Sequence, residues 1–339
     1  VSARPRTVTL AGFSIFAPDE TEPVSRAFAD ADLLFTAVCP ENLEAAADEL
    51  RPCFVRWLSR GGGGTKNVLC CENMNHSTTA FRRFLEKGFP AELLPGLDRR
   101  VGFADTMIAR VVARPKDPLS LLGEEYSEWT ADRGAIRGDP PVVKTLELVD
   151  NQDRYLQRKL YIHNTGHATF GYLGFLKGYT YVHEAAQDPD IMAVCKKAIE
   201  ESGWAIEKEH GFPAEVIARY RDALTDKCVL PQLPDELTRV VRDPMRKLGP
   251  EERFFGPIGL LLRHGRRPDH LLFGVAAALI APIEGDPSSL ALRDAMTRGG
   301  VSAALELCGT HVPAEIVRDI ENLIAVVRER FGHDGERQP

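Results

Sequence analysis

Little in this sequence ties it to a membrane or a nucleic acid. No apolar run reaches the roughly 18 residues that a spanning helix needs. The opening residues VSARPRTVTLAG lack the apolar core of a signal peptide. Lysine and arginine total 42 against 49 acidic residues, a net charge of −7, and no basic block breaks that balance. The electrostatic footprint of nucleic-acid or membrane-surface binding is therefore missing. The seven cysteines, Cys39, Cys53, Cys70, Cys71, Cys195, Cys228 and Cys308, are scattered without a CxxC pair. That disfavours both a zinc ribbon and a disulfide framework, so reduced thiols in a cytoplasmic protein are expected; a monomer is the expected state. There is no GxxxxGK[ST], no G-x-G-x-x-G after a strand pattern, and no repeat. The glycine run at 61–64 precedes a strand instead of joining a strand to a helix, and reads as a loop.

What is present is an ordinary globular composition, 44% hydrophobic and 27% charged over 339 residues. Strand and helix patterns alternate through the first 115 or so residues. Strands are expected at 7–16, 32–38, 67–71 and 101–112, with helices at 20–29, 42–58 and 77–87. Alternation of this kind implies an α/β layer with a mostly parallel sheet. After the turn-rich ADRGAIRGDPP helical periodicity dominates, most clearly at 190–208, 213–225, 269–280 and 313–331. The expected fold is an incomplete Rossmann-like α/β part over 1–140, an all-α domain over 141–332, and a tail over 333–339.

Within RKLYIHNTGHATFGYLGFLKG, Lys159, Asn164 and His167 form K-x4-N-x2-H. On an α-helix they stand at about 0°, 140° and 80°, so all three can face one cleft. Gly166, Ala168 and Gly171 are small enough to admit a neighbouring backbone or a ligand. The chemistry is coherent for metal-free alcohol oxidation by a nicotinamide. A lysine desolvated toward neutrality takes the hydroxyl proton, an asparagine amide holds the alkoxide, and a histidine holds a hydroxyl. Downstream, Arg239, Arg242, Arg246 and Lys247 form a cationic cluster, with 239, 242 and 246 on one face of a helix and Pro244 placed to end or kink it. Such a cluster is either a solvated basic face or a phosphate site.

RKLYIHNTGHATFGYLG closely resembles the catalytic helix of the polyol-specific long-chain dehydrogenases, the mannitol dehydrogenase family. NTGHA followed by YLG is most similar to its mannitol 1-phosphate branch. DLLFTAVCPENL and VLCCENMNHST resemble the family's fourth and fifth Rossmann strands with their cofactor-side loops. ELTRVVRDPMRKL, GPIGLLLRHG and LLFGVAAALI resemble its helical domain. The resemblance implies Lys159 as general acid/base, Asn164 and Asn73 as donors to the alkoxide oxygen, and His167 as a substrate contact. It implies Thr36, Ala37, Val38, Glu72 and Asn73 at the cofactor, Arg239 and Lys247 in the substrate pocket, NAD as cofactor (NADP being open), and no metal. Arg242 and Arg246 are the further candidates for a phosphate.

Three departures stand out. The family's N-terminal G-x-G-x-x-G has no counterpart here, so a βαβ unit of roughly 50 residues is expected to be missing, and weak NAD binding with it. Cys39 stands where the family has glycine, and Ala109 where it has aspartate. The expected activity is interconversion of a hexitol phosphate and a ketose phosphate, such as mannitol 1-phosphate and fructose 6-phosphate. The alternatives are an unphosphorylated polyol dehydrogenase, a hexuronate reductase, or a non-catalytic sugar-phosphate-binding paralogue.

Overall fold

The consecutive residues Lys66–Cys70 are all buried, and continuous burial marks the central strand of a parallel sheet. The computed structural model describes residues 7–17, 19–72, 74–110, 112–113, 121–123, 128–232 and 234–332. In it Lys66–Cys70 pairs in parallel with Leu33–Thr36 on one side and Val101–Phe103 on the other. Thr36 lies opposite Cys70, so these two strands end level. Helices Thr21–Asp30, Leu43–Ser59, Ser77–Glu86 and Leu94–Arg100 alternate with the strands. Their apolar faces deliver Phe28, Phe54, Trp57, Phe81, Leu85 and Leu97 to one core. The Lys66 ammonium is buried there but satisfied. It donates to the carbonyls of Ala29 (2.9 Å) and Ala31 (2.6 Å) at the C-terminus of the first helix, where the helix dipole favours a cation.

A second sheet pairs Thr106–Ala109 antiparallel to Glu128–Asp132, which runs parallel to Leu146–Val149. That last strand follows Pro140 and Pro141, and its pairing carries the first compact unit on to Leu156. This unit is Val1–Val111 with Gly123–Leu156; the second is Val112–Leu122 with Gln157–Pro339. Two expectations are corrected. Residues 7–17 form no strand, and Leu10 and Ile15 are 80% and 79% exposed. An apolar run with no neighbouring strand has nothing to hold it extended. The expected strand over 101–112 breaks at Ala104 into strands of two different sheets. In the glycine run Gly62 alone is packed: a Cβ on it would lie 2.6 Å from the Trp57 indole, whereas Gly61, Gly63 and Gly64 are exposed.

The second unit is helical. Pro189–His210, Ala214–Cys228, Leu271–Ile280 and Ala314–Phe331 lie where periodicity predicts them. Asp188 caps the first, accepting from Asp190 N (2.9 Å) and Ile191 N (3.1 Å). Thr165–Leu176 and Leu271–Ile280 are apolar on every side and buried, so they form the interior of the bundle. Gly166 and Gly171 serve this packing, not a ligand. A Cβ on Gly166 would sit 2.7 Å from Ile199 and 2.8 Å from Leu224, and one on Gly171 2.6 Å from Val240. No helix among the described residues is long and apolar enough to cross a membrane.

Candidate active site

The chain enters the second unit as α-helix Asp153–Arg158, winds through a π-helix at Lys159–Asn164, and returns to α-helix over Thr165–Leu176. The uninterrupted α-helix expected from the sequence is thus corrected. In an i→i+5 turn, residues five apart sit nearly above one another. Lys159 and Asn164 therefore share a face, instead of standing about 140° apart. The cause is local. The Thr165 hydroxyl reaches the carbonyl of Leu160, five residues back, at 3.3 Å, and also that of Arg253. Tyr161 Oη donates to the Glu251 carbonyl at 3.2 Å. A side chain bonded into the helical ladder and a loop docked on it hold the turn open.

Burial, then the charges of Lys227 and Arg253, push the Lys159 ammonium down to about 8. His163, one turn on, is held well below the ordinary histidine value by burial and by Lys227, His167 and Lys159. Its ring centroid lies 6.2 Å from that of His167. The sequence singles out neither Lys227, Arg253 nor His163. Only the folded chain brings the charges of Lys227 and Arg253 to Lys159.

His167 Nε2 lies 3.0 Å from Asp235 Oδ2, and Asp235 also accepts from the Arg239 guanidinium. Burial would raise the Asp235 carboxyl, but the hydrogen bonds and charges of His167 and Arg239 outweigh it and hold the carboxyl below its ordinary value. Backbone bonds position it: Val182 N donates to Asp235 O (2.9 Å) and Leu237 N to Thr180 O (2.9 Å). In the neutral ring with Nε2–H given to Asp235, Nδ1 is the nitrogen that carries the lone pair. Asp235 is absent from the sequence-based site. Its one signal is the i,i+4 spacing to Arg239.

The cationic cluster does not lie on one helix face. Leu237–Val241 ends at Arg242, Asp243 takes a left-handed backbone (φ 55°), and Pro244–Lys247 starts a new turn. Proline at N1 and the turn before it break the face. Arg242 is exposed. Arg246 is also exposed and is held by Asp243 (2.8 Å) and Glu252 (3.3 Å). Lys247 alone of the four is buried, and burial with the charges of Arg253 and Arg246 brings its ammonium down to about 7. Among the described residues no group of three or more His, Cys, Asp or Glu is arranged to hold a metal ion.

In the first unit the candidate cofactor residues Thr36, Ala37, Val38 and Glu72 gather at the carboxyl ends of two adjacent parallel strands, where open α/β sheets take ligands. Thr36 Oγ1 (2.8 Å) and Val38 N (3.0 Å) both donate to Glu72, tying the two loops together. Ala37 is exposed beside them. Asn73 lies outside the described residues. Ala109 is buried in an apolar cluster with Met107 and Leu156, so an aspartate there would have to be paired. Cys39 has φ 69° and ψ 150°, a region that is nearly glycine-only and strains other residues by about 1–3 kcal/mol. Glycine gives back roughly 0.5–1 kcal/mol as unfolded-chain entropy. Cys39→Gly is therefore expected to stabilise the unit by about 1 kcal/mol, a rise in Tm of roughly 2–4 °C for a domain of ~150 residues. An unchanged or lower Tm would show that the loop carries no strain.

The profile of the mannitol dehydrogenase Rossmann domain matches residues 6–144, and that of the mannitol dehydrogenase C-terminal domain matches residues 151–308. The mannitol-1-phosphate 5-dehydrogenase of Caldanaerobacter subterraneus subsp. tengcongensis is 31% identical over 308 residues, 89% of this chain and 79% of that protein. Among solved structures, D-sorbitol dehydrogenase in substrate-free form superposes with a TM-score of 0.74 at 17% identity, over 92% of this chain and 76% of that one. Pseudomonas fluorescens mannitol 2-dehydrogenase, in complex with NAD and D-mannitol, gives 0.68 at 18% identity, over 92% and 75%. These two share the fold. The profile matches across both units, together with the 31% relative, show that the chain belongs to the mannitol dehydrogenase family of oxidoreductases.

Proposed function

We propose that the chain is an NAD-dependent dehydrogenase that interconverts a hexitol phosphate and a ketose phosphate, mannitol 1-phosphate and fructose 6-phosphate being the first pair to test. The observation that carries this reading is Lys159. It is a buried amine brought to about 8, on one face with Asn164. In the oxidative direction the neutral amine takes the proton of the reacting hydroxyl, and the hydride leaves the same carbon. NAD, when bound, supplies the nicotinamide that accepts that hydride. The Asn164 amide donates to the oxygen as it gains charge, with Asn73 as second donor by its resemblance to the family motif. His167, held by Asp235, accepts from a neighbouring hydroxyl. In reduction protonated Lys159 returns the proton to the carbonyl oxygen. Thr36, Val38 and Glu72 would lie along the cofactor, since they ring the strand ends where such a group sits. The mannitol 1-phosphate relative supports a phosphorylated substrate. The exposure of Arg242 and Arg246 favours the second reading, an unphosphorylated polyol.

The test is the pH dependence of the two directions. A base with pKa about 8 must be neutral for oxidation, so kcat should rise with pH and level off above about 8. The same group must be protonated for reduction, so kcat for ketose should fall through that window. Parallel profiles in both directions would remove Lys159 from the chemistry. Activity on fructose and mannitol equal to that on their phosphates would select the second reading.

A further inference from the structure

We infer that Arg158 is a positioning residue: held between the rings of Phe212 and Tyr220, it fixes the helix on the N-terminal side of the π-turn and so keeps Lys159 on the face of Asn164. The role rests on the reading of Lys159 as the base and adds what holds it in place.

A π-turn is a rotational offset between two stretches of one helix, so it persists only if both sides are held. Rewound as regular α-helix, the segment would again place Lys159 and Asn164 about 140° apart. Downstream, Tyr161 and Thr165 are bonded to the carbonyls of Glu251 and Arg253. Upstream, the two residues before Lys159 reach a different segment. His210 Nε2 donates to Gln157 Oε1 at 2.9 Å. Arg158 is 3% exposed, and its guanidinium carbon lies 5.0 Å from the Phe212 ring centroid and 4.5 Å from that of Tyr220. The local sequence builds this clamp. Gly211, in the left-handed region at φ 64°, ends the helix Pro189–His210 and turns the chain, and Pro213 precedes the helix Ala214–Cys228. Phe212 is thereby set at the start of that helix and Tyr220 about two turns along it.

The helix Ala214–Cys228 spans the offset. Tyr220 meets Arg158 ahead of the π-turn. Leu224, one turn later on the same face, packs on Gly166 behind it, where a Cβ would come within 2.8 Å of its side chain. Lys227, on that face again, is after burial the largest influence that lowers Lys159 and His163. One helix therefore splints both sides of the turn. A guanidinium suits the gap between two rings because it is flat, stacks on aromatic faces and is weakly hydrated. Such contacts are strongest when desolvated, as here.

The experiment follows mannitol 1-phosphate oxidation against pH in the full protein and in Arg158→Met, Tyr220→Leu, Tyr220→Phe and the double variant Arg158→Met/Tyr220→Leu. In the same proteins Lys159 is titrated by NMR of ¹³Cε-lysine, with Lys159→Arg assigning the resonance. Arg158→Met and Tyr220→Leu should each lower kcat about 10–10²-fold, the cost of a misplaced reacting group. KM should stay within about threefold, because no substrate contact is touched. In both variants the kcat midpoint and the lysine titration should move up from about 8 toward 10.5, as the amine loses its dry setting. Tyr220→Leu leaves every charge in place, so its shift reports position and not the loss of a neighbouring cation. Tyr220→Phe keeps the ring and should behave as the wild type. The double variant should be within about twofold of the slower single, because both changes break one contact. If Tyr220→Leu does not fold, Phe212→Leu removes the other wall. Variants that lose thermal stability but keep kcat and the Lys159 titration would make the clamp structural only and overturn this inference. Parallel pH profiles for oxidation and reduction in the wild type would instead overturn the reading of Lys159 as the base. The titration, which needs neither substrate nor NAD, separates the two failures.

Discussion

Lys159→Ala is expected to lower kcat by about 10²–10⁴-fold in both directions, the usual contribution of a positioned general acid or base. Lys159→Arg should be nearly as slow, because a guanidinium keeps its proton and cannot act as the base. The same position should cost stability in the wild type. Burial lowers the folded pKa from 10.5 to about 8. Below about 8 the amine is charged in both folded and unfolded chains, and the fold carries the full penalty, on the order of 1–3 kcal/mol. As pH rises from about 8 toward 10.5 the folded amine is neutral and the penalty disappears. Lys159→Met should therefore unfold at a higher temperature than the wild type at pH 7, and the gap should close above about pH 10. Thermal scans at pH 7 and 10 check the stability and steady-state turnover checks the chemistry. Near-wild-type kcat in the alanine variant would end the acid/base assignment. A methionine variant less stable at pH 7 would mean that the contacts of the ammonium outweigh the cost of its burial.

The elements, and the helix that carries the candidate site, are legible because their signals are local. The buried run NVLCC announces the strand Lys66–Cys70, and the apolar LLFGVAAALI announces a helix buried on all sides. Lys159, Asn164 and His167 are candidates on their spacing and their resemblance to the family motif. What is not legible depends on tertiary geometry. A π-turn has no periodicity of its own, and this one depends on Arg253 and Glu251, which lie far along the chain. Asp235 reaches His167 only because the backbone at Asp235 and Leu237 bonds to Val182 and Thr180. Arg239, Arg242, Arg246 and Lys247 look alike in sequence, yet one is buried and the others face water, a distinction created by Asp243 and Pro244 breaking the helix. Cys39 is a departure that the sequence exposes and the backbone explains: its φ of 69° is the reason a glycine suits that position.

Asn164→Ala should reduce kcat by about 10²–10³-fold, equivalent to about 2.7–4 kcal/mol of lost transition-state stabilisation, with a smaller change in KM. The π-turn sets Asn164 on the face of Lys159, so one oxygen can lose its proton to the lysine while it receives a hydrogen bond from the amide. That bond strengthens as the oxygen gains charge and is worth little to the neutral hydroxyl, so its loss falls mainly on kcat. Asn164→Asp should be slower still, because a carboxylate opposes the developing alkoxide. The fold should tolerate either change. Asn164 is only half-buried, and the turn is held by Thr165 and Tyr161 and not by the Asn164 side chain. Steady-state kinetics with circular dichroism on both variants separates the cases. A pure KM effect in Asn164→Ala would make the residue a substrate contact. An aspartate variant as fast as the wild type would remove Asn164 from the reacting oxygen.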